Sequence, residues 1–137
     1  MTKNQLRIVF DTNVIMSSII FGGKPKKIIR LVIEGKIVPF ISQSLQAELS
    51  EVLIKKFQFT TGKLKLLEEF IEENFKIVYP SISLDIVSDK DDNRVLETAV
   101  EGKCQYIITG DNDLLNLNSY KEIKTLSPDK SLNIFKN

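Results

Sequence analysis

Short apolar runs alternate with longer amphipathic segments along the chain. Four short runs are largely apolar, as strands of a parallel sheet are: RIVF (7–10), IVPFIS (37–42), KIVYP (76–80) and QYIIT (105–109). A fifth run, EIKTLSP (122–128), is more polar and is a candidate fifth strand that ends before Pro128. Five longer segments repeat apolar residues with the helical period: 25–35, 43–57, 61–75, 91–102 and 111–117. This alternation predicts an α/β fold, a three-layer α/β/α sandwich around a central, mainly parallel sheet of about five strands.

Glycine, proline and serine mark the ends of several predicted elements. Pro25 lies in the first turn of the helix over 25–35 and Gly35 ends it. Ser42 is the expected N-cap of the next helix, and Gly102 ends the helix over 91–102. Pro39 removes a backbone donor from the second strand, which places that strand at a sheet edge or at a bulge.

The absence of histidine excludes whole classes of catalytic site. The chain has 137 residues, no His and one Cys, so we expect a single domain over 1–137. Catalysis by Ser-His-Asp, by Cys-His or by a His base is ruled out. A zinc site is almost excluded, and any metal must be held by oxygen, as Mg²⁺ or Mn²⁺ is. The lone Cys104, the polar start and the lack of a membrane-spanning run predict a cytoplasmic protein.

Charge is divided unevenly between the two halves of the chain. The net charge of +1 combines +7 over residues 1–65 with −6 over residues 66–137. Solvated helix faces alone would account for this difference. The alternative is a basic wall beside an acidic pocket, which suits a substrate that carries phosphates.

Carboxylates follow two of the predicted strands directly. Asp11 ends the first strand, and Asp111 ends the fourth after Thr109 and Gly110. Ligand sites of parallel sheets lie beyond the carboxyl ends of the strands, where the strand order reverses. Each aspartate has an alternative role as a helix N-cap.

Two further acids come from helices. Asp92 completes an i, i+3, i+4, i+7 pattern with Val95, Leu96 and Ala99, so it points inward, where a bare charge is costly. Glu48 flanks the apolar stripe of its helix, and an ordinary surface glutamate remains the alternative.

The acids near Asp92 have other expected roles. Asp89 is expected to cap the helix, and Asp91 to face solvent.

Four acids from separate segments would repel one another unless a cation lay between them. One or two divalent ions would remove the repulsion, orient water and neutralise the charge that develops on a phosphodiester. Asn13 and Thr109 would then hold carboxylates or water by hydrogen bonds. Asp113 is either a further ligand or a stabiliser of its helix N-terminus.

Taken together, these motifs resemble the PIN domain family over nearly the whole chain. The pieces are VFDTNV (9–14), SQSLQAELSEVL (42–53), DKDDNRVLETAVEG (89–102) and YIITGDNDLL (106–115). Their order and spacing are most similar to the branch assigned to toxins of toxin–antitoxin systems. The resemblance implies a PIN-like sandwich and Mg²⁺- or Mn²⁺-dependent ribonuclease activity. It places the catalytic and metal-binding acids on Asp11, Glu48, Asp92 and Asp111.

The resemblance also implies partners. It suggests a cytoplasmic homodimer that a small antitoxin inhibits by inserting a segment over the active site. The substrate would be RNA, single-stranded or structured, cleaved to 5′-phosphate and 3′-hydroxyl ends. As a separate hypothesis, five lysines would contact the RNA backbone: Lys24, Lys26, Lys27, Lys55 and Lys56.

Other classes of protein fit the motifs less well. A haloacid-dehalogenase-type phosphatase needs a second Asp where Asn13 stands, and FGGKPKK (21–27) lacks the spacing of a P-loop. A receiver domain needs an acidic pair on its first strand. Two alternatives remain. One is a non-catalytic PIN-like module that binds RNA or protein, and the presence of all four acids favours an enzyme over it. The other is a DNA nuclease of related architecture, but such enzymes usually carry extra arch or helix-hairpin-helix segments, for which this chain has no room.

Overall fold

Strands and helices alternate through the part of the chain that a computed structural model describes, residues 5–135 apart from the side chain of Lys24. The strands there are β1 Leu6–Phe10, β2 Ile37–Ser42, β3 Lys76–Val78, β4 Tyr106–Ile108, β5 Ser119–Tyr120 and β6 Ile123–Leu126. The helices are α1 Thr12–Ile20, α2 Gly23–Ile33, α3 Gln43–Phe57, α4 Thr61–Asn74, α5 Lys90–Glu101, α6 Asn112–Leu117 and α7 Pro128–Phe135.

The strands form one sheet in the order β3-β2-β1-β4-β6-β5. Every neighbouring pair is parallel except β5 and β6. The predicted α/β fold with a mainly parallel sheet is therefore confirmed. The sheet has six strands rather than about five, because the two-residue strand β5 pairs with the start of β6 across a tight turn.

The direction of the chain reverses between β1 and β4. From β1 the chain moves outward through β2 to β3, then returns to β4 on the other side of β1 and continues to β6. Crossovers between parallel strands are right-handed, so the helices of the two halves cover opposite faces of the sheet. Ile8 and Val9 point to opposite faces, and neither is exposed to solvent at all.

Most of the predicted helices begin and end near the expected residues. Ser42 caps α3, where its hydroxyl accepts a 3.3 Å hydrogen bond from the backbone N–H of Leu45. Pro25 lies in the first turn of α2, and Gly102 follows α5. The pattern did not predict α1 or α7. Pro128, the last residue of the predicted run EIKTLSP, is the first residue of α7, a position that needs no backbone N–H donor.

The expectation that Pro39 places β2 at a sheet edge or a bulge was wrong. β2 lies between β1 and β3, and Pro39 is buried opposite Ile8 of β1. The pairing with β3 begins only at Phe40, which is opposite Lys76. At Pro39 the β3 side of the strand therefore has no neighbour, so an interior strand tolerates the proline.

No helix within residues 5–135 is long and apolar enough to cross a lipid bilayer.

Candidate active site

The carboxyl ends of β1 and β4 meet where the strand order reverses. Phe10 pairs with Ile108 in the parallel ladder, and the backbone N–H of Asp11 donates to the carbonyl of Ile108 at 2.9 Å. Asp11 and Asp111 therefore emerge side by side at one edge of the sheet. This is the edge where open α/β sheets bind their ligands.

Thr109 connects the two aspartates. Its fully buried hydroxyl donates to Oδ2 of Asp11 at 2.8 Å and accepts from the backbone N–H of Asp111 at 3.0 Å. Burial raises the pKa of Asp11, and the hydrogen bonds from Thr109 and from the backbone N–H of Asn13 act in the opposite direction. Asn13 contacts Asp11 through its backbone, while its side chain is exposed.

Both strand-end aspartates also cap helices. Asp11 caps α1, and Oδ1 of Asp111 accepts from the backbone N–H groups of Asp113 at 2.8 Å and Leu114 at 3.3 Å. The N-cap alternative is therefore correct for both residues. It does not remove them from the acid cluster, because Asp111 offers a carboxylate oxygen within 4.8 Å of oxygens of Asp92 and Asp113.

Asp92 has a carboxylate oxygen without a partner. The residue is 6% exposed, and among residues 5–135 its Oδ2 has no hydrogen-bond partner. Burial raises the pKa of Asp92 to about 8, and the neighbouring charges of Asp111, Asp89 and Asp11 act in the same direction. A buried carboxylate that faces other carboxylates needs either a proton or a cation.

Glu48 approaches the cluster from α3 on the side of Asp11. It is half-buried, next to Thr12 and Asp91. Burial and the charge of Asp91 raise the pKa of Glu48 to about 7, while a hydrogen bond with Thr12 lowers it. Asp91 was expected to face solvent only. It is exposed, but it also interacts with Glu48.

The segment between β3 and α5 is held against α5 by three side chains, one per helical turn. Oδ1 of Asn93 accepts from the backbone N–H groups of Ile86 at 2.8 Å and Val87 at 3.1 Å. Glu97 accepts from the N–H of Leu84 at 2.7 Å, and Glu101 accepts from the N–H of Ser81 at 3.1 Å. The sequence analysis missed this arrangement, whose only signal is the four-residue spacing of the three polar residues.

The same segment places Ser88 and Asp89 next to the cluster of acidic side chains. The hydroxyl of Ser88 donates to Oδ2 of Asp113 at 3.4 Å. Asp89 caps α5, as predicted, by accepting from the backbone N–H of Asp91 at 2.8 Å. The charge of Asp89 also helps to raise the pKa values of Asp11 and Asp92. The sequence analysis did not place Asp89 or Ser88 among the site residues.

The predicted lysine contacts lie away from the acids. Lys55 and Lys56 are exposed in the last turn of α3, about 10 Å along the helix axis from Glu48, and Lys55 pairs with Glu51 at 3.4 Å. The exposed Lys26 and Lys27 follow the nine residues of α1, which carry the chain roughly 13 Å from Asp11. The side chain of Lys24 falls outside the described residues.

The donor set fits a hard divalent cation. Asp92, Asp111 and Asp113 each present an oxygen within 4.8 Å of the others. Carboxylate oxygens grouped in this way are the kind of ligand that Mg²⁺ prefers. A cation there would also neutralise the buried carboxylate of Asp92, whose Oδ2 has no hydrogen-bond partner among residues 5–135. The chain has no His, and its one Cys is buried with a pKa raised to about 12, so softer metals find no ligands.

Comparisons with known proteins agree with this geometry. A profile described as "PIN domain" matches residues 7–113. The uncharacterized protein MJ1680 of Methanocaldococcus jannaschii is 36% identical over 135 residues, which covers 92% of this chain and 86% of that protein. The solved structure of the PIN domain endonuclease Utp24 is similar with a TM-score of 0.57 and 19% identity, and the match covers 88% of this chain and 84% of that one. The profile match spans most of the chain and includes Asp11, Glu48, Asp92 and Asp111. This chain therefore belongs to the PIN domain family.

Proposed function

We propose that the protein is a metal-dependent ribonuclease that cleaves RNA at the acid cluster. The observation that carries the proposal is the buried carboxylate of Asp92: its Oδ2 has no hydrogen-bond partner among residues 5–135, and one of its two oxygens lies within 4.8 Å of carboxylate oxygens of Asp111 and Asp113. Without a cation, the negative charges of these carboxylates repel one another. A bound cation would remove this repulsion, and the cluster is therefore expected to bind one.

Each residue has a distinct role in this proposal. Asp92, Asp111 and Asp113 would hold a Mg²⁺ or Mn²⁺ ion through their carboxylate oxygens. Asp11 and Glu48 would complete the acidic set and could serve as ligands of a second ion. Thr109 fixes the orientation of Asp11 through its 2.8 Å hydrogen bond. When bound, the ions supply positive charge at a phosphodiester and orient the attacking water.

The products follow from attack by a water molecule in line with the scissile bond between phosphorus and the 3′ oxygen. Water adds to phosphorus, the bond to the 3′ oxygen breaks, and the products carry a 5′-phosphate and a 3′-hydroxyl.

Cleavage of a labelled single-stranded RNA tests the proposal. The wild-type protein is expected to cut in Mn²⁺ and in Mg²⁺ but not in EDTA, and Asp11→Asn is expected to abolish cutting. Phosphatase sensitivity of the downstream fragment would identify the 5′-phosphate. If cutting persists in EDTA or in Asp11→Asn, the proposed site is wrong.

The alternative is a non-catalytic PIN-like module that binds RNA or protein. Such a module would bind RNA without cleaving it in any metal, and Mn²⁺ would not bind by calorimetry. The complete acidic set favours the enzyme, because a binding module has no use for a buried carboxylate without a partner.

We further propose a toxin role in the cytoplasm, under control of a small antitoxin that covers the acids. This proposal rests on the motif resemblance and on the ribonuclease activity. Expression of the wild-type chain alone in a bacterial host is expected to arrest growth, and Asp11→Asn is expected to relieve the arrest. Normal growth with an enzyme that cleaves RNA in vitro would instead indicate an RNA-processing role.

A further inference from the structure

Phe21 is an exposed aromatic side chain at the end of α1. It is 74% exposed. Its ring lies edge-on to the half-buried ring of Phe57 at the end of α3, with 6.4 Å between the two centroids. Gly22 and Gly23 follow with φ angles of 76° and 73°, which glycine adopts without strain, and they turn the chain into α2. Because the fold buries little of the Phe21 ring, most of its apolar surface is open to a ligand.

The contact between the two rings joins two segments of the chain that carry cations and no acid. Residues 12–33 contain three lysines and one arginine, and residues 52–67 contain four lysines, with no Asp or Glu in either segment. Lys26 and Lys56 are both exposed. The stem of Lys26 lies beside Gly22, where an added Cβ would be 3.7 Å from its Cδ. The exposed ring is therefore surrounded by positive charge, which suits a polyanion.

Both helices that carry these rings start near the acid cluster. Asp11 caps α1, and Glu48 lies in the second turn of α3. At the helical rise per residue, Phe21 lies about 15 Å from Asp11 along the axis of α1. Phe57 lies about 13 Å from Glu48 along the axis of α3. A stacked strand of nucleic acid advances roughly 3.4 Å per nucleotide, so about four nucleotides span this distance.

We propose that Phe21 stacks on a base of a single-stranded RNA substrate, about four nucleotides from the scissile phosphate, while Lys26 and Lys56 contact nearby phosphates. Taking RNA as the ligand rests on the proposed function. Proteins hold single strands with aromatic rings among cations, because every base has a π face and every nucleotide a phosphate. The bases of a duplex are stacked on one another, so the ring would select single-stranded over double-stranded RNA.

A nucleic acid suits this surface better than an acidic protein segment does. The cations are spread over two segments of the chain rather than gathered at one point, which matches a strand with one charge at every nucleotide. The ring and the acids lie along the same two helices, so one RNA strand of sufficient length reaches both. An acidic protein segment would contact the lysines without needing a base, and the measurement below separates the two ligands.

A tryptophan reporter at this position tests the stacking. The chain contains no tryptophan, so Phe21→Trp introduces a single one. Titration in EDTA with a single-stranded RNA of about twelve nucleotides is expected to quench its emission through base stacking. Polyphosphate carries the charge without the bases and is expected to leave the emission nearly unchanged. Ile134→Trp on α7, at a position that is 52% exposed, is the matched control and should not respond to RNA.

Affinities for the same RNA in EDTA measure how much the ring contributes. Phe21→Ala is expected to weaken binding about fivefold or more, as the loss of one base–aromatic contact does. Phe21→Leu keeps an apolar side chain without a ring and should weaken binding similarly, whereas Phe21→Tyr keeps the ring and should restore it. In cleavage assays, Phe21→Ala should raise KM more than it lowers kcat, because the ring is remote from the scissile phosphate. Circular dichroism checks that each variant folds, which the exposure of Phe21 favours.

Three results would overturn the proposal. They are a wild-type protein that binds no single-stranded RNA, an affinity that is equal in Phe21→Ala and the wild type, and a Phe21→Trp emission that polyphosphate quenches as strongly as RNA does. The last result would assign the surface to an acidic partner without bases. Base-dependent quenching without cleavage in Mn²⁺ would support the stacking and contradict only the ribonuclease. Cleavage by Phe21→Ala with the wild-type KM would contradict only the stacking.

Discussion

The hydroxyl of Thr109 donates a 2.8 Å hydrogen bond to Oδ2 of Asp11. This contact joins the ends of two neighbouring parallel strands at the point where the strand order reverses. Because the same hydroxyl accepts from the backbone N–H of Asp111 at 3.0 Å, one buried threonine sets the positions of both strand-end aspartates.

Thr109→Val is expected to weaken Mn²⁺ binding by about tenfold, in the range typical for the loss of a hydrogen bond behind a metal ligand. The substitution conserves shape but leaves the Asp11 oxygen and the Asp111 N–H without their partner. Calorimetric titration with Mn²⁺ measures the change. Thr109→Ser keeps the hydroxyl and should bind nearly as the wild type does, and equal affinity in all three proteins would contradict a role for this hydrogen bond.

The metal-free protein is expected to lose stability as pH rises from about 4 to about 8. The pKa of Asp92 is raised to about 8 and that of Glu48 to about 7 in the folded state. A raised carboxyl pKa means that the folded state holds the proton more tightly. The stability it contributes is therefore fully present below the unfolded value and is lost as pH passes the folded value.

Thermal unfolding in EDTA at a series of pH values measures this dependence. Asp92→Asn removes the charge and should flatten the curve, whereas Asp85→Asn, at an exposed position in the same half of the chain, should leave it unchanged. Added Mg²⁺ should raise the melting temperature of the wild type more at high pH than at low pH, because the ligands must lose their protons. A wild-type curve that is flat in EDTA would contradict the electrostatic account.

Asn93→Ala is expected to release the segment before α5 and to cost about 1 kcal/mol, since it leaves part-buried backbone groups without their hydrogen-bond partner. The backbone N–H groups of Ile86 and Val87 lose their acceptor. Hydrogen exchange should therefore speed up at these two residues. Glu97→Gln is the control variant for exchange at Ile86 and Val87, because Glu97 accepts from the N–H of a different residue, Leu84, one helical turn away.

The stability that Glu97 contributes depends on pH. Burial acts to raise the pKa of Glu97, but hydrogen bonds from Arg94 and from the N–H of Leu84 outweigh it and lower the pKa. The stability from Glu97 is thus present above the unfolded pKa and lost in acid. Exchange that is unchanged at Ile86 and Val87 in Asn93→Ala would show that other contacts hold the segment.

Gly102→Ala is expected to destabilise the fold by about 1–3 kcal/mol through overpacking. A Cβ at Gly102 would lie 2.8 Å from Cδ2 of Phe40 and 3.0 Å from Sγ of Cys104. Urea denaturation measures the loss. Gly110→Ala is the matched control, because a Cβ there meets nothing within 4 Å, and an equal effect of both substitutions would count against the packing explanation.

Sequence patterns predicted the fold and the position of the acids because both depend on local periodicity. Asp92 was placed inward from its spacing to Val95, Leu96 and Ala99, and it is buried. Asp11 and Asp111 were placed at one sheet edge because each follows an apolar run, and the register of β1 and β4 brings them together. The catalytic roles of these residues remain predictions.

Features that depend on tertiary contacts could not be predicted in the same way. Asn93 stabilises a segment six to seven residues away through backbone contacts that no periodicity signals. Pro39 was misplaced because its tolerance depends on where β3 begins, which only the register shows. Asp113 was left between two roles, and its position within 4.8 Å of Asp92 and Asp111 is set by the turn after β4.

If the acid cluster binds a divalent ion and uses it to cleave RNA, cleavage must depend on both the ion and Asp92. Initial rates of cleavage of one labelled single-stranded RNA by the wild type, Asp92→Asn and Asp85→Asn, each in Mn²⁺ and in EDTA, measure this dependence. We expect Mn²⁺-dependent cleavage by the wild type and Asp85→Asn, and none by Asp92→Asn. Cleavage by Asp92→Asn at the wild-type rate would contradict this expectation.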